Sequence, residues 1–245
     1  MQDIIKIIGV DCSADAKKVG LAMGEYRNSG ISLFETKFGS DGNSIAEIIV
    51  DWIQTDDKVV LAIDAPLGWP EDLGNSLSSH LAGQTLSVES NLLFRRETDR
   101  FIKKTLGKQP LDVGADRIAR TAYAALKIIG ELQLAIKNKI EMAWSSDKVN
   151  AISVIEVYPA ATLQCYGIRN GGYKEKGQKD EREDILKGLG KNMEIQCDLQ
   201  HMIQSADVLD SAVCLLAAKD FLDGDVYFPN DFEKAKKEGW IWVKK

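Results

Sequence analysis

The sequence predicts an α/β fold, a mixed sheet covered by helices, on three observations. Short β-branched apolar runs recur at residues 4–11, 59–64 and 151–157, each carrying an acid at or near its end. A hairpin signal sits early in the chain. Later strands alternate with stretches of helical apolar spacing, and hairpin strands followed by strand–helix alternation imply a mixed sheet with helical layers.

Residues 4–11 form a nearly unbroken apolar run ending in Gly9-Val10-Asp11, the pattern of a buried strand. Two further strands are expected at 19–26 and 31–38, joined by the turn Arg27-Asn28-Ser29-Gly30. Residues 44–54 place Ile45, Ile48, Ile49 and Trp52 on one helical face. A strand at 59–64 ends in Asp64 and is stopped by Pro66, Gly68 and Pro70. Residues 71–150 exceed a single crossover. They read as a helical insertion, with helices at 92–106 and 116–137, within a single domain spanning 1–245. The strand 151–157 carries Glu156. A charged stretch at 173–183, with Lys174, Lys176, Lys179 and Arg182, reads as a solvent face or mobile loop. Helices are expected at 183–189 and at 205–221, the latter capped by Ser205. The tail 239–243 reads as a short strand or a packed arm, with Trp240 and Trp242 used for packing.

Composition narrows the function classes. Hydrophobic residues make up 44% and charged residues 28% of 245, ordinary for a packed core. No apolar run reaches the roughly 18 to 20 residues that span a bilayer, so no membrane role is expected. Met1-Gln2-Asp3 lacks a basic start, so no signal peptide is expected. Cys12, Cys165, Cys197 and Cys214 form no C-x-x-C pair and fit a reducing, cytoplasmic setting. Two histidines, His80 and His201, supply a zinc site or a histidine triad poorly. No Walker or dinucleotide motif is present. The net charge of −6 argues against attraction to bulk nucleic acid by overall charge.

Asp11, Asp64 and Glu156 share one context, the C-terminal end of a buried strand. If the three strands run parallel, the acids lie along the sheet edge where open α/β folds place ligands. Asp207 and Asp210 are three apart on a helix that is otherwise apolar nearly all round. Clustered buried carboxylates repel one another, and hard divalent cations such as Mg²⁺ or Mn²⁺ relieve that repulsion. Such ions can activate water for attack on a phosphodiester. Each acid also has an ordinary structural reading. Asp11 can cap a loop, Asp64 can serve a Pro-Gly turn, Glu156 can pair with a buried arginine, and Asp207 suits a helix N-terminus. In the basic stretch beginning at Phe94, Arg96 and Arg100 are the candidates for phosphate contacts, against the commoner reading of a solvated face.

The set Ile8-Gly9-Val10-Asp11, Ala62-Ile63-Asp64-Ala65-Pro66-Leu67-Gly68, Phe94-Arg95-Arg96 with Asp99, Ile155-Glu156-Val157-Tyr158-Pro159, and Asp207 to Asp210 before Ser-Ala resembles one family. It is the group of predicted RNase H-like nucleases known as domain of unknown function 429. The closing Glu238-Gly239-Trp240-Ile241 also looks like that family's end. The resemblance implies a five-stranded RNase H-like sheet, its first three strands antiparallel, with helices on both sides and the insertion between strands four and five. It implies Asp11 as the central metal ligand, Asp64 as the acid of the fourth strand, and Asp210, with Asp207 beside it, as the acid of the last helix. Glu156 has no fixed counterpart and is carried as a catalytic candidate. The expected function is a metal-dependent phosphodiester hydrolase acting on nucleic acid or a nucleotide, with Mg²⁺ or Mn²⁺. A non-enzymatic binding or regulatory module and a small-molecule phosphotransferase are the alternatives.

Overall fold

The computed structural model describes residues 4–41, 44–54, 58–114, 116–149 and 151–245. Strand β1 (Ile5–Asp11) is followed by the hairpin β2 (Gly20–Arg27) and β3 (Gly30–Phe38), then helix α1 (Ile45–Trp52) and strand β4 (Lys58–Asp64). Helices α2 (Glu71–Leu77), α3 (Ser90–Phe94), α4 (Glu97–Leu106) and α5 (Asp116–Ile136) lead to the two-residue β5 (Glu141–Met142) and to β6 (Ile152–Glu156). The chain continues with α6 (Pro159–Cys165), α7 (Lys179–Leu189), a two-residue β7 (Glu194–Ile195), α8 (Gln200–Gln204), α9 (Ala206–Asp223) and α10 (Phe232–Glu238).

The hairpin turn forms where the sequence places it. Asn28 and Ser29 hold φ of 53° and 58°, the left-handed pair that matches strand twist in a two-residue turn. Ser44 caps α1 in a reciprocal capping box with Glu47.

The sheet order is β5-β6-β4-β1-β2-β3-β7. β1, β2 and β3 pair antiparallel, while β4 runs parallel to β1, and β6 parallel to β4. The five expected strands are thus present in a mixed sheet, which two short edge strands extend to seven among the described residues. A two-residue strand carries too little periodicity to register in a sequence. The sheet separates two apolar layers. On one face Ile7, Val60 and Ala62 pack with α9. On the other, Val10, Leu61 and Ile63 pack with α1 and with Ala125, Ile129 and Leu132 of α5.

The segment 71–150 is therefore divided. Helix α5 and strand β5 belong to the covering layer and the sheet, while α2 to α4 extend beyond them. The continuous helix expected at 92–106 is broken. Phe94 ends α3, Arg95 and Arg96 are extended, and Asp99 accepts the Arg96 backbone N–H at 2.9 Å to start α4. The C-terminal tail is a packed arm. Trp240 and Trp242 are buried, and the Trp242 backbone N–H donates to the Glu156 carbonyl.

Candidate metal centre

The parallel pairing of β1 and β4 sets Asp11 directly beside Asp64. Residues paired in register point to the same face, so both side chains meet at the sheet edge. The third acid arrives from α9, which lies across that face at backbone contact distance. A Cβ on Gly9 would stand 2.0 Å from the Ser211 carbonyl oxygen, and one on Gly20 would stand 2.1 Å from that of Asp207. Only glycine at these two strand positions lets the helix come close enough to bring Asp210 to the strand ends. Carboxylate oxygens of Asp11, Asp64 and Asp210 lie within 4.8 Å of one another. Asp11 and Asp210 are buried; Asp64 is partly open to a cleft.

The electrostatics follow from this crowding. Burial, then Asp210 and Asp64, push the Asp11 carboxyl well above its usual range. Burial raises Asp64 to about 7, against the pull of Lys174 and with a push from Asp210. Asp210 is raised by burial and drawn down by Lys174 and by the Tyr173 hydroxyl. That hydroxyl donates to Asp210 Oδ1 at 2.7 Å, and the Lys174 ammonium stands 2.5 Å from Oδ2. Oδ2 nevertheless has no hydrogen bond of acceptable geometry, so it faces a charge that is close but poorly aimed. Three carboxylates against one ammonium leave two uncompensated negative charges when all are ionised.

This donor set fits a hard divalent cation. All three side chains offer oxygen, and a buried oxygen without a hydrogen bond is the kind of atom that a metal satisfies. The group is able to coordinate a metal ion.

The other expected site residues lie elsewhere. Asp207 is half-buried and outside the cluster; burial and the neighbouring Asp210 raise its carboxyl. Glu156 pairs in register with Ile63, not Asp64, so it points to the opposite face from the cluster. There it meets Arg96, whose two terminal nitrogens donate to its oxygens at 2.8 and 2.7 Å. Arg96 also binds both oxygens of Asp99 and the Glu238 carbonyl, at 1% exposure. Its donors are consumed inside the fold, which does not suit the expected phosphate contact. Arg100 directs its guanidinium to the carbonyls of Asn91 and Arg95 at the end of α3, which likewise serves the backbone.

The reading of 173–183 as a solvent face holds for Lys176 and Lys179, which are exposed, and is corrected at Tyr173, Lys174 and Arg182. Tyr173 is buried against Asp210, and Arg182, also buried, donates to the carbonyls of Tyr173 and Ile203. Lys174 enters the carboxylate cluster. A tyrosine alone in a charged run was the one signal that the segment turns inward.

Asp11 and Asp64 open into a cleft of about 570 Å³, a size in the range of small-ligand sites, roughly 300–1,000 Å³. Lys108 and Lys174 bring positive charge to its lining, and Pro110, Leu111, Ile118 and Tyr158 line it with apolar surface. The Lys108 ammonium is held by Asn170 Oδ1 at 2.7 Å.

Fold and site together define an α/β protein with a mixed sheet and a carboxylate cluster, able to hold a metal ion, at the ends of adjacent parallel strands. The chain belongs to the family described as "Protein of unknown function (DUF429)", which it matches over residues 9–234. The match contains all three acids; the closing Glu238-Gly239-Trp240-Ile241 lies beyond it. No curated protein and no solved structure matches the chain. Among the described residues no helix is long and apolar enough to cross a membrane.

Proposed function

We propose that the protein is a metal-dependent phosphodiester hydrolase of RNase H-like fold, acting on a nucleotide or nucleic acid. One observation carries the reading: three carboxylates converge at the strand ends, and the buried Oδ2 of Asp210 lacks a hydrogen bond. The antiparallel β1–β2–β3 with parallel β4 and β6 supports the fold assignment.

Asp11, Asp64 and Asp210 would hold Mg²⁺ or Mn²⁺. Such an ion supplies hydroxide at neutral pH and stabilises charge on the phosphoryl oxygens. Asp11 and Asp64 present their oxygens to the cleft, and Asp210 closes the set from behind. Asp207 adds negative charge nearby without reaching the three. Lys108 and Lys174 replace Arg96 and Arg100 as the groups facing a substrate phosphate, because their ammonium groups are the cationic ones in the cleft that the Glu156–Asp99 network does not consume. Pro110, Leu111 and Ile118 offer an apolar wall for a base or another flat group. Glu156 leaves the catalytic set and becomes the partner of Arg96.

Calorimetric titration of Mg²⁺ and Mn²⁺ into wild type and Asp11→Asn tests this reading, followed by hydrolysis of bis(p-nitrophenyl) phosphate and short oligonucleotides. Wild type should bind and cleave, and the folded variant should do neither. No binding by wild type at millimolar ion would leave a structural cluster held by Lys174, and so a binding module.

A further inference from the structure

The cluster contains a cation of its own, and its placement is unusual. Lys174 Nζ lies 2.5 Å from Asp210 Oδ2, a fully buried carboxylate, yet the Lys174 side chain is 56% exposed. The stem therefore reaches in from solvent while only the ammonium engages the acids. Its backbone is fixed. The Tyr173 hydroxyl bonds Asp210, and the Tyr173 carbonyl accepts from buried Arg182 at 2.6 Å. A four-carbon stem on an anchored backbone can withdraw its ammonium without moving the loop. The contact it would leave is short but badly aimed, since Oδ2 gains no hydrogen bond from it.

Resting on the metal-site reading above, we propose that Lys174 is a displaceable counter-cation: its ammonium holds the place of the metal at Asp210 until the ion arrives, then swings into the cleft to face the substrate phosphate beside Lys108. Exchanging a monovalent for a divalent charge leaves the three acids closer to neutrality. It also couples metal loading to the appearance of a second ammonium, beside that of Lys108, in the cleft. An empty site thus lacks full phosphate affinity, and a loaded one gains it.

The test is Mn²⁺ affinity by calorimetry for wild type, Lys174→Met, Lys174→Arg and Asp11→Asn, each purified with Mn²⁺ and stripped by dialysis. Removing the competing charge should tighten Mn²⁺ binding in Lys174→Met by about tenfold or more. Lys174→Arg keeps the competing charge and should therefore bind Mn²⁺ more weakly than Lys174→Met. In chelator, Lys174→Met should melt below wild type and recover on addition of Mn²⁺. Binding by Lys174→Met when wild type shows none would overturn the displacement, because the ammonium would then block the site instead of yielding it. Equal Kd for wild type and Lys174→Met, with binding abolished in Asp11→Asn, would overturn it while sparing the metal site. Failure of both wild type and Lys174→Met to bind would overturn both readings.

Discussion

Two groups of buried acids lie at the C-terminal ends of neighbouring strands, and the fold treats them in opposite ways. Around Arg96 compensation is nearly complete. Glu156 receives two guanidinium bonds and the Leu67 N–H, and Asp99 receives the Arg96 backbone and side chain. Glu238 accepts the N–H groups of Glu71 and Glu97. Around Asp11, Asp64 and Asp210 compensation is left short, with one ammonium and one tyrosine hydroxyl for three carboxylates. The first group ties the C-terminal arm, α4 and β6 together. The second holds unrelieved charge at the mouth of a cleft. A buried acid on its own is ambiguous; the number and aim of its partners separate structural from chemical use.

The largest expected effect breaks the compensated group. Arg96→Met removes the guanidinium between Glu156 and Asp99, leaving two buried carboxylates exposed to each other's charge. A loss of about 3–5 kcal/mol in denaturant unfolding is expected. The deficit relative to wild type should be the same with and without Mn²⁺, because the substitution leaves the Asp11, Asp64 and Asp210 cluster intact and the ion stabilises both proteins alike. A gap to wild type that closes in Mn²⁺ would erase the distinction between the two regions.

A smaller loss should disturb only the uncompensated group. Gly9→Ala places a methyl 2.0 Å from the Ser211 carbonyl oxygen, so α9 must shift away from β1 and take Asp210 with it. Overpacking of this kind costs about 1–3 kcal/mol. Mn²⁺ affinity by calorimetry should fall along with stability, while the Arg96 group stays intact. Unchanged affinity would mean that the close approach of α9 does not set the cluster.

How much of this was legible in the sequence depended on range. Asp11, Asp64 and Asp210 stood out because each interrupts an apolar strand end or an apolar helix, a local signal. Glu156 stood out equally, yet its face depends on strand register, and β6 pairs it with Ile63 instead of Asp64. A shift of one residue sends a side chain to the other face of a sheet. The break at Arg95 and Arg96 has no glycine or proline to mark it, so the two arginines read as part of one helix face. Lys174 read as solvated because its neighbours are charged and its partner Asp210 lies 37 positions beyond the adjacent Tyr173. Local pattern thus identified the strands and the acids. Which acids share a site was decided by register and by long-range contacts, which composition and periodicity do not encode.

The mildest change lies in the pH dependence of stability. Asp64 titrates near 7 in the folded protein against an unfolded value near 3.8. Between those values the folded state binds more protons than the unfolded one, so unfolding free energy falls as pH rises. This contribution to stability is fully present below about pH 3.8 and is lost by the time pH passes 7. Asp64→Asn removes the titrating group. In chelator the variant should therefore flatten the decline across that window and gain on the order of 1 kcal/mol over wild type at pH 8, discounted for the partial exposure of Asp64. Added Mn²⁺ should reverse the ranking, because the ion stabilises only a folded state that can bind it. Thermal melts at pH 5 and pH 8, with and without Mn²⁺, read all four conditions. If wild type gained stability between pH 5 and 8 and the variant did not, Asp64 would be a compensated acid like Glu156, and the two regions would not differ in kind.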